Sequence, residues 1–224
     1  QSHGDHSNNI AFGTISITDG TNAVAFGAGS RSQGINALAM GASSTAEGQS
    51  VISLGSDSST KGNEAIALGA RSTAFGNRVM SMGSGATAEG SDVIALGASA
   101  TANGVEALAI GDNAEANGVG VIAIGSGAKA LGSNTNGLAI GTQSIASGTD
   151  VTALGAGASA SGIRATAVGA GAQASHADST AIGAGARTTA PGQIVLGTAS
   201  SSLVVPSLGA SGQFAGRSSQ QGST

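Results

Sequence analysis

The side chains most able to do chemistry in this chain are three histidines, His3, His6 and His176. His3 and His6, with Asp5 between them, carry donor types that could hold a divalent cation. They lie in an irregular N-terminal stretch and read better as a solvated end, so no metal site is assigned. His176 stands two residues before Asp178, which would orient an imidazole in a hydrolytic triad. No serine is set apart as its nucleophile. Serines are spread along the chain because many positions want a small side chain.

Other chemistries fail on spacing. No Gly-Lys-Ser or Gly-Lys-Thr follows a glycine-rich loop, so there is no phosphate loop. There is no cysteine, which removes thiolate metal sites and disulfides. The nonapeptide calcium roll and the hexapeptide acyltransferase helix have the wrong period. The chain is read as a non-enzyme with no catalytic residue, no cofactor and no resident metal.

The elements available to position any site are set by an unusual composition. Of 224 residues, 39 are glycine, 9% are charged and 2% are aromatic, while 40% are hydrophobic. A single bulky core lacks its large side chains. Two prolines and no three-residue glycine period exclude collagen. Eight basic residues and a net charge of −4 exclude a nucleic-acid surface. No apolar run approaches the ~18 residues of a membrane helix.

A repeat organises the chain. Glycines recur every fourteen residues from Gly13 to Gly125, and again from Gly141 to Gly197. The one step of sixteen places two extra residues within 133–137, read as a bulged surface turn. A second glycine row lies seven residues after the first, from Gly20 to Gly162, and its slot then holds His176 and Ala190. Paired glycines half a period apart imply two turns per unit. His176 belongs to the residue types that tolerate a left-handed backbone, and Pro191-Gly192 is placed to take over the turn beside Ala190.

Two short alternating segments remain in each unit, and alternation over so few residues reads as strand. Glycine every seven residues makes helix costly, at about 1 kcal/mol each. Each unit is therefore turn, strand, turn, strand, and buries its apolar face only by stacking on its neighbours. The predicted fold is all-β, a parallel β-roll or solenoid of fourteen-residue coils, roughly 60–65 Å long at ~4.8 Å per step.

Count the first glycine of a coil as position 0. In the second strand, positions 3 and 5 are small (Ser44 and Ala46, Ala86 and Ala88, Ala114 and Ala116), with polar residues between them (Thr45, Thr87, Glu115). That strand has one inner and one outer face. The first strand is apolar on both faces. One parity carries large aliphatics such as Ile94 and Leu96; the other holds alanine at eleven of fourteen mid-strand slots, with Val or Ala two residues earlier. A strand apolar on both faces is normally covered on both, so one set must meet another copy of the chain. Parity leaves open which set that is. Val93, Ala95, Ala109, Val121 and Ala123 are the candidate interface residues.

Two surface rows complete the reading. Position 9 carries Glu64, Asp92, Glu106, Asp150 and Asp178 with Arg78 and Arg164 among them. It reads as a solvated edge, with a docking strip for a basic partner as the functional alternative. Thr45, Ser59, Thr73, Thr87 and Thr101 form an outward hydroxyl row that Glu115 and Lys129 interrupt. An ice-binding ladder is the minor reading of that row.

Runs such as Glu64-Ala65-Ile66-Ala67-Leu68-Gly69 and Gly120-Val121-Ile122-Ala123-Ile124-Gly125, followed by a Ser or Ala and then Ala-x-Gly, resemble the head repeat of trimeric autotransporter adhesins, the YadA-like head. The resemblance covers about residues 9–199. It implies a left-handed roll, a homotrimer, and a C-terminal outer-membrane anchor on Gram-negative bacteria that this segment lacks. It also implies adhesion to host matrix, cells or surfaces, with self-association. Residues 1–199 are then the head. The aperiodic residues 200–224 form a neck or connector towards a stalk not included here. A passive spacer rod without a ligand site is the rival function.

Overall fold

The computed structural model describes residues 2–3, 8–132 and 136–201 of the chain. Asp5 and His6 of the N-terminal stretch, the centre of the 133–137 insertion and most of the 200–224 segment lie outside the described residues.

The described chain is all-β, and every strand pairing is parallel. Each strand pairs with its counterpart one coil along: Ile66 and Leu68 align with Met80 and Met82, and Thr87 with Thr101. The result is the parallel β-solenoid expected from the period, with fourteen first strands running from Ile10–Phe12 to Ile194–Leu196.

The first corner follows from the first glycine. Ser72 N–H donates to the Gly69 carbonyl at 3.2 Å, and Arg71 between them has φ 57°. This is a type II turn. Gly69 has φ +137°, and a Cβ there would sit 2.4 Å from the Gly83 carbonyl oxygen. Stacked corners thus leave no room for a side chain. The second glycine row is tighter: at Gly76, φ is +134° and a Cβ would lie 1.7 Å from the Gly90 oxygen. The expectation of two glycine-dependent turns per coil holds here.

His176 departs from its expected role. Neither it nor Ala190 has a positive φ. The left-handed residue in these late corners is position 9, with φ 55° at Asp178 and 65° at Gly192, so Pro191-Gly192 does take over its turn. The backbone strain against a Cβ is thus gone at His176 and Ala190, although at Gly162 a Cβ would still lie 2.1 Å from the His176 carbonyl oxygen.

The interior is a narrow column filled from positions 3, 5, 10 and 12. Its largest fully buried side chains are valines and threonines, among them Val51, Val93, Val121 and Thr60. Alanine and serine fill most of the rest. Serines at position 3 donate to the position-0 carbonyl, as Ser16 does to Gly13 and Ser72 to Gly69. The lack of rings inside the column is thereby explained, because two strands packed this closely leave no volume for one.

The column also settles which apolar set is inside. Val93, Ala95, Ala109, Val121 and Ala123 are 0% exposed within the single chain. They fill the coil, and the single chain leaves them no exposed surface, contrary to what a contact face needs. The narrow interior admits only the small set and forces the large one outward. Ile94 stays 40% exposed, Leu96 41% and Ile182 43%.

Candidate functional site

The molecule offers faces rather than a cleft. His176 Nδ1 lies 3.5 Å from Thr188 Oγ1, and Ser179 Oγ lies 3.1 Å from the same hydroxyl while donating to the His176 carbonyl at 2.7 Å. Ser179 and Thr188 are buried, so this group closes a corner of the column. The Asp178 carboxylate turns to Arg164 instead. His176 and Asp178 therefore do not assemble as a proton-transfer pair.

The first-strand face carries positions 11 and 13. Its outward residues run in register from Ile10 and Phe12 to Ile194 and Leu196. The Phe12 and Phe26 rings stack at 4.9 Å. Position 13 is apolar throughout. Position 11 is apolar except at Thr152, Thr166 and Thr180. A shallow groove of about 300 Å³ runs beside this face, lined by Glu64, Ile66, Arg78, Val79, Met80 and Ile94.

The second-strand face is mostly polar, with Phe75 and Ile145 exposed on it. Thr45, Ser59, Thr73, Thr87 and Thr101 align from coil to coil, and Glu115 and Lys129 continue the row. Ion pairs step along the coils, Lys61 to Glu47 at 3.3 Å and Lys129 to Glu115 at 3.2 Å.

Position 9 forms the edge between the faces. Its residues share one conformation, with φ near 55° at Glu64, Arg78, Asp92, Glu106 and Asp150. The demand for a left-handed residue favours the Asn, Asp and Gly found here, while Glu64, Arg78, Glu106 and Arg164 adopt it without that preference. Asn22 donates to Asn36, and Asn136 to Asp150. Arg78 and Asp92 form a bidentate pair, as do Arg164 and Asp178. The hydrogen bonds from each guanidinium hold Asp92 and Asp178 below the usual aspartate range and raise the arginines.

The family model for the YadA head domain repeat (2 copies) matches residues 10–30, 32–58, 61–78, 80–100, 102–128, 133–158 and 160–186. The chain belongs to the YadA head repeat family. This is a family of adhesins on bacterial surfaces, not of enzymes, and the chain is accordingly of adhesin type. Among solved structures it is similar to the collagen-binding domain of the Yersinia adhesin YadA, at 24% identity over 80% of this chain and 79% of that one, with a TM-score of 0.34. No curated protein matches by sequence.

The outward aliphatic row was the functional feature hardest to place in advance. Its signal was nonetheless present: the second strand's small inner residues already implied a column too narrow for Ile and Leu.

Proposed function

We propose that this YadA-type head acts as a homotrimer in which the first-strand faces of three chains pack together, while the second-strand faces and the charged edges point outward to bind. The observation carrying this reading is the outward apolar row of the first strands. It continues from coil to coil along the rod, with Ile94, Leu96, Leu154 and Ile182 each about two-fifths exposed, and a large contiguous apolar face on a chain marks an interaction surface.

The head attaches bacteria to host matrix, cells or surfaces and supports self-association between heads. Its coils present many equivalent weak contacts in three copies, and avidity multiplies them. Residues 200–224 serve as a connector towards a stalk, and an outer-membrane anchor lies further along the full-length chain.

The test replaces one outward residue and one inward one. Leu108→Glu places a charge on the proposed contact face but leaves the column intact. Its far-UV circular dichroism is expected to stay β-rich while light scattering shows the mass of one chain. Ala109→Glu places the charge inside the coil and is expected to abolish folding. A parent chain that is monomeric and folded would overturn the trimer. Undiminished attachment of the monomeric Leu108→Glu head to a matrix-coated surface would overturn the avidity argument. If charge reversals along the outward rows left attachment unchanged, the spacer reading would stand instead.

A further inference from the structure

The contact face proposed above has a weakness built into its repetition. Nearly identical coils recur at ~4.8 Å along the rod, so sliding one rod past another by a single coil gives up contact only at the ends. Shape complementarity between aliphatic rows distinguishes such registers poorly. One stretch of the face is not apolar. Position 11 is Ile, Val, Leu or Met from Ile10 to Leu138, then Thr152, Thr166 and Thr180, then Ile194. The three threonines align with one another, with Leu138 and Ile194 at either end.

All three are half-buried already in the single chain, and none of their hydroxyls makes a hydrogen bond within the described residues. Most hydroxyls that the chain buries are satisfied, as Ser53 with Ser58 and Thr60 with the Ile52 carbonyl, Thr18 and Ser81 being exceptions. The fold therefore leaves three adjacent hydroxyls unpaired towards the C-terminal end of a face that is otherwise apolar.

We propose that Thr152, Thr166 and Thr180 set the axial register of the assembled rods. This rests on the trimeric reading above. Closed rotational symmetry brings each residue to the same height on its neighbours. In register, hydroxyls from three chains meet and can donate to one another or to shared water. A slip of one or more coils sets some of them against Leu138 or Ile194 and their aliphatic neighbours, where a covered hydroxyl without a partner is penalised. A buried polar group fixes register in coiled coils by the same physics. The threonines give up some apolar burial and gain discrimination between otherwise similar alignments.

The test uses the absence of native cysteine. Two differently tagged chains are co-expressed, one carrying Leu108→Cys and the other Ile122→Cys. These positions are aligned neighbours one coil apart, so a disulfide between the two tags reports a slipped pair. Same-height disulfides within either tag report alignment. In the parent background, same-height product is expected to dominate. In the Thr152→Val, Thr166→Val, Thr180→Val background, which keeps side-chain shape but removes the hydroxyls, the slipped fraction is expected to rise by ~tenfold or more. Serine at the same three positions keeps the hydroxyls and is expected to restore the parent ratio.

Light scattering on each sample separates the two ways of failing. A parent chain with the mass of a monomer overturns the trimeric reading itself. A trimer whose slipped fraction is the same in parent and valine backgrounds overturns the register role alone, and means that these hydroxyls face water. A serine background that slips as the valine one does also overturns it.

Discussion

The coils before residue 132 and those after residue 136 share one period but turn their second corner differently. In the earlier coils the second strand runs through the corner glycine, as in Thr101–Val105 and Glu115–Val119, and that glycine has φ of +140° at Gly104 and +142° at Gly118. In the later coils the strand stops after two residues, as in Ile145–Ala146, Ser159–Ala160 and Gln173–Ala174. Gly148 and Gly162 no longer have positive φ, and Ala165 N–H closes a tight turn on the Gly162 carbonyl at 3.2 Å. The two-residue insertion falls at the boundary between the styles. A fixed period thus fixes the stacking of coils but not the path within each one. Outward chemistry changes at the same boundary. From 145 onward the second-strand face is rich in Ser and carries no charge until Arg187, whereas the earlier coils carry the Lys–Glu pairs.

The largest effect expected from this contrast lies at position 7. Gly76→Ala forces a Cβ to within 1.7 Å of a backbone oxygen at φ +134°. It should cost about 4 kcal/mol or more, in the range reserved for backbone strain and overpacking. The same slot in the later coils already holds His176 and Ala190. His176→Ala should therefore change stability by about 1 kcal/mol or less, through loss of the long contact to Thr188. Thermal melts of the two variants check the pair. Equal losses would mean that the two corner styles are not energetically distinct.

A smaller effect distinguishes the interiors. At position 12 the earlier coils include Ser53 and Ser81, whereas the later ones hold Ala139, Ala153, Ala167 and Ala181. Ser53 is paired with Ser58 at 2.8 Å, but the buried Ser81 hydroxyl has no partner. Ser81→Ala is expected to stabilise the chain by ~1 kcal/mol, since it removes an unsatisfied buried group. Ser53→Ala is expected to be neutral or mildly destabilising. Denaturant midpoints at constant slope report both. A loss of stability on Ser81→Ala would show that its hydroxyl finds water.

Much of this molecule was legible in the sequence because the repeat multiplies each signal. Gly13 to Gly197 gave the coil, and Ser44, Ala46, Ala86 and Ala88 gave the inner face of the second strand. The inner set of the first strand was not legible from alternation, because Ala95 and Ile94 are both apolar and parity has no sign. Column width decides it, and width is a property of two strands together. The left-handed backbone at position 9 was also hidden. Glu64, Arg78 and Asp92 announce charge, while the shared φ near 55° is imposed by the corner and tolerated by side chains of every kind. The change of corner style was half visible, in His176, Ala190 and Pro191-Gly192. Its onset at Gly148 was not, since a glycine fits either geometry.

The smallest effect concerns the two arginine pairs, one in each style of coil. Arg78–Asp92 sits where the strand Thr87–Leu96 runs unbroken through the corner, and Arg164–Asp178 sits where the strand has stopped. Both aspartates are held below their ordinary range by the guanidinium hydrogen bonds. A carboxylate with a depressed pKa contributes stability that is present above its unfolded value and lost as pH falls through its folded value. Any contribution from these pairs therefore disappears below the usual aspartate range and is unchanged at neutral pH. Both pairs are solvated at the edge, so salt screens them and their effect on melting is slight. Carboxyl-carbon NMR gives a cleaner measure than melting does. Asp92 and Asp178 should both titrate below the ordinary range, and Arg78→Gln should return Asp92 to it while leaving Asp178 unmoved. If both aspartates shifted together, the pairs would be coupled along the rod, and the two regions would not be electrostatically independent.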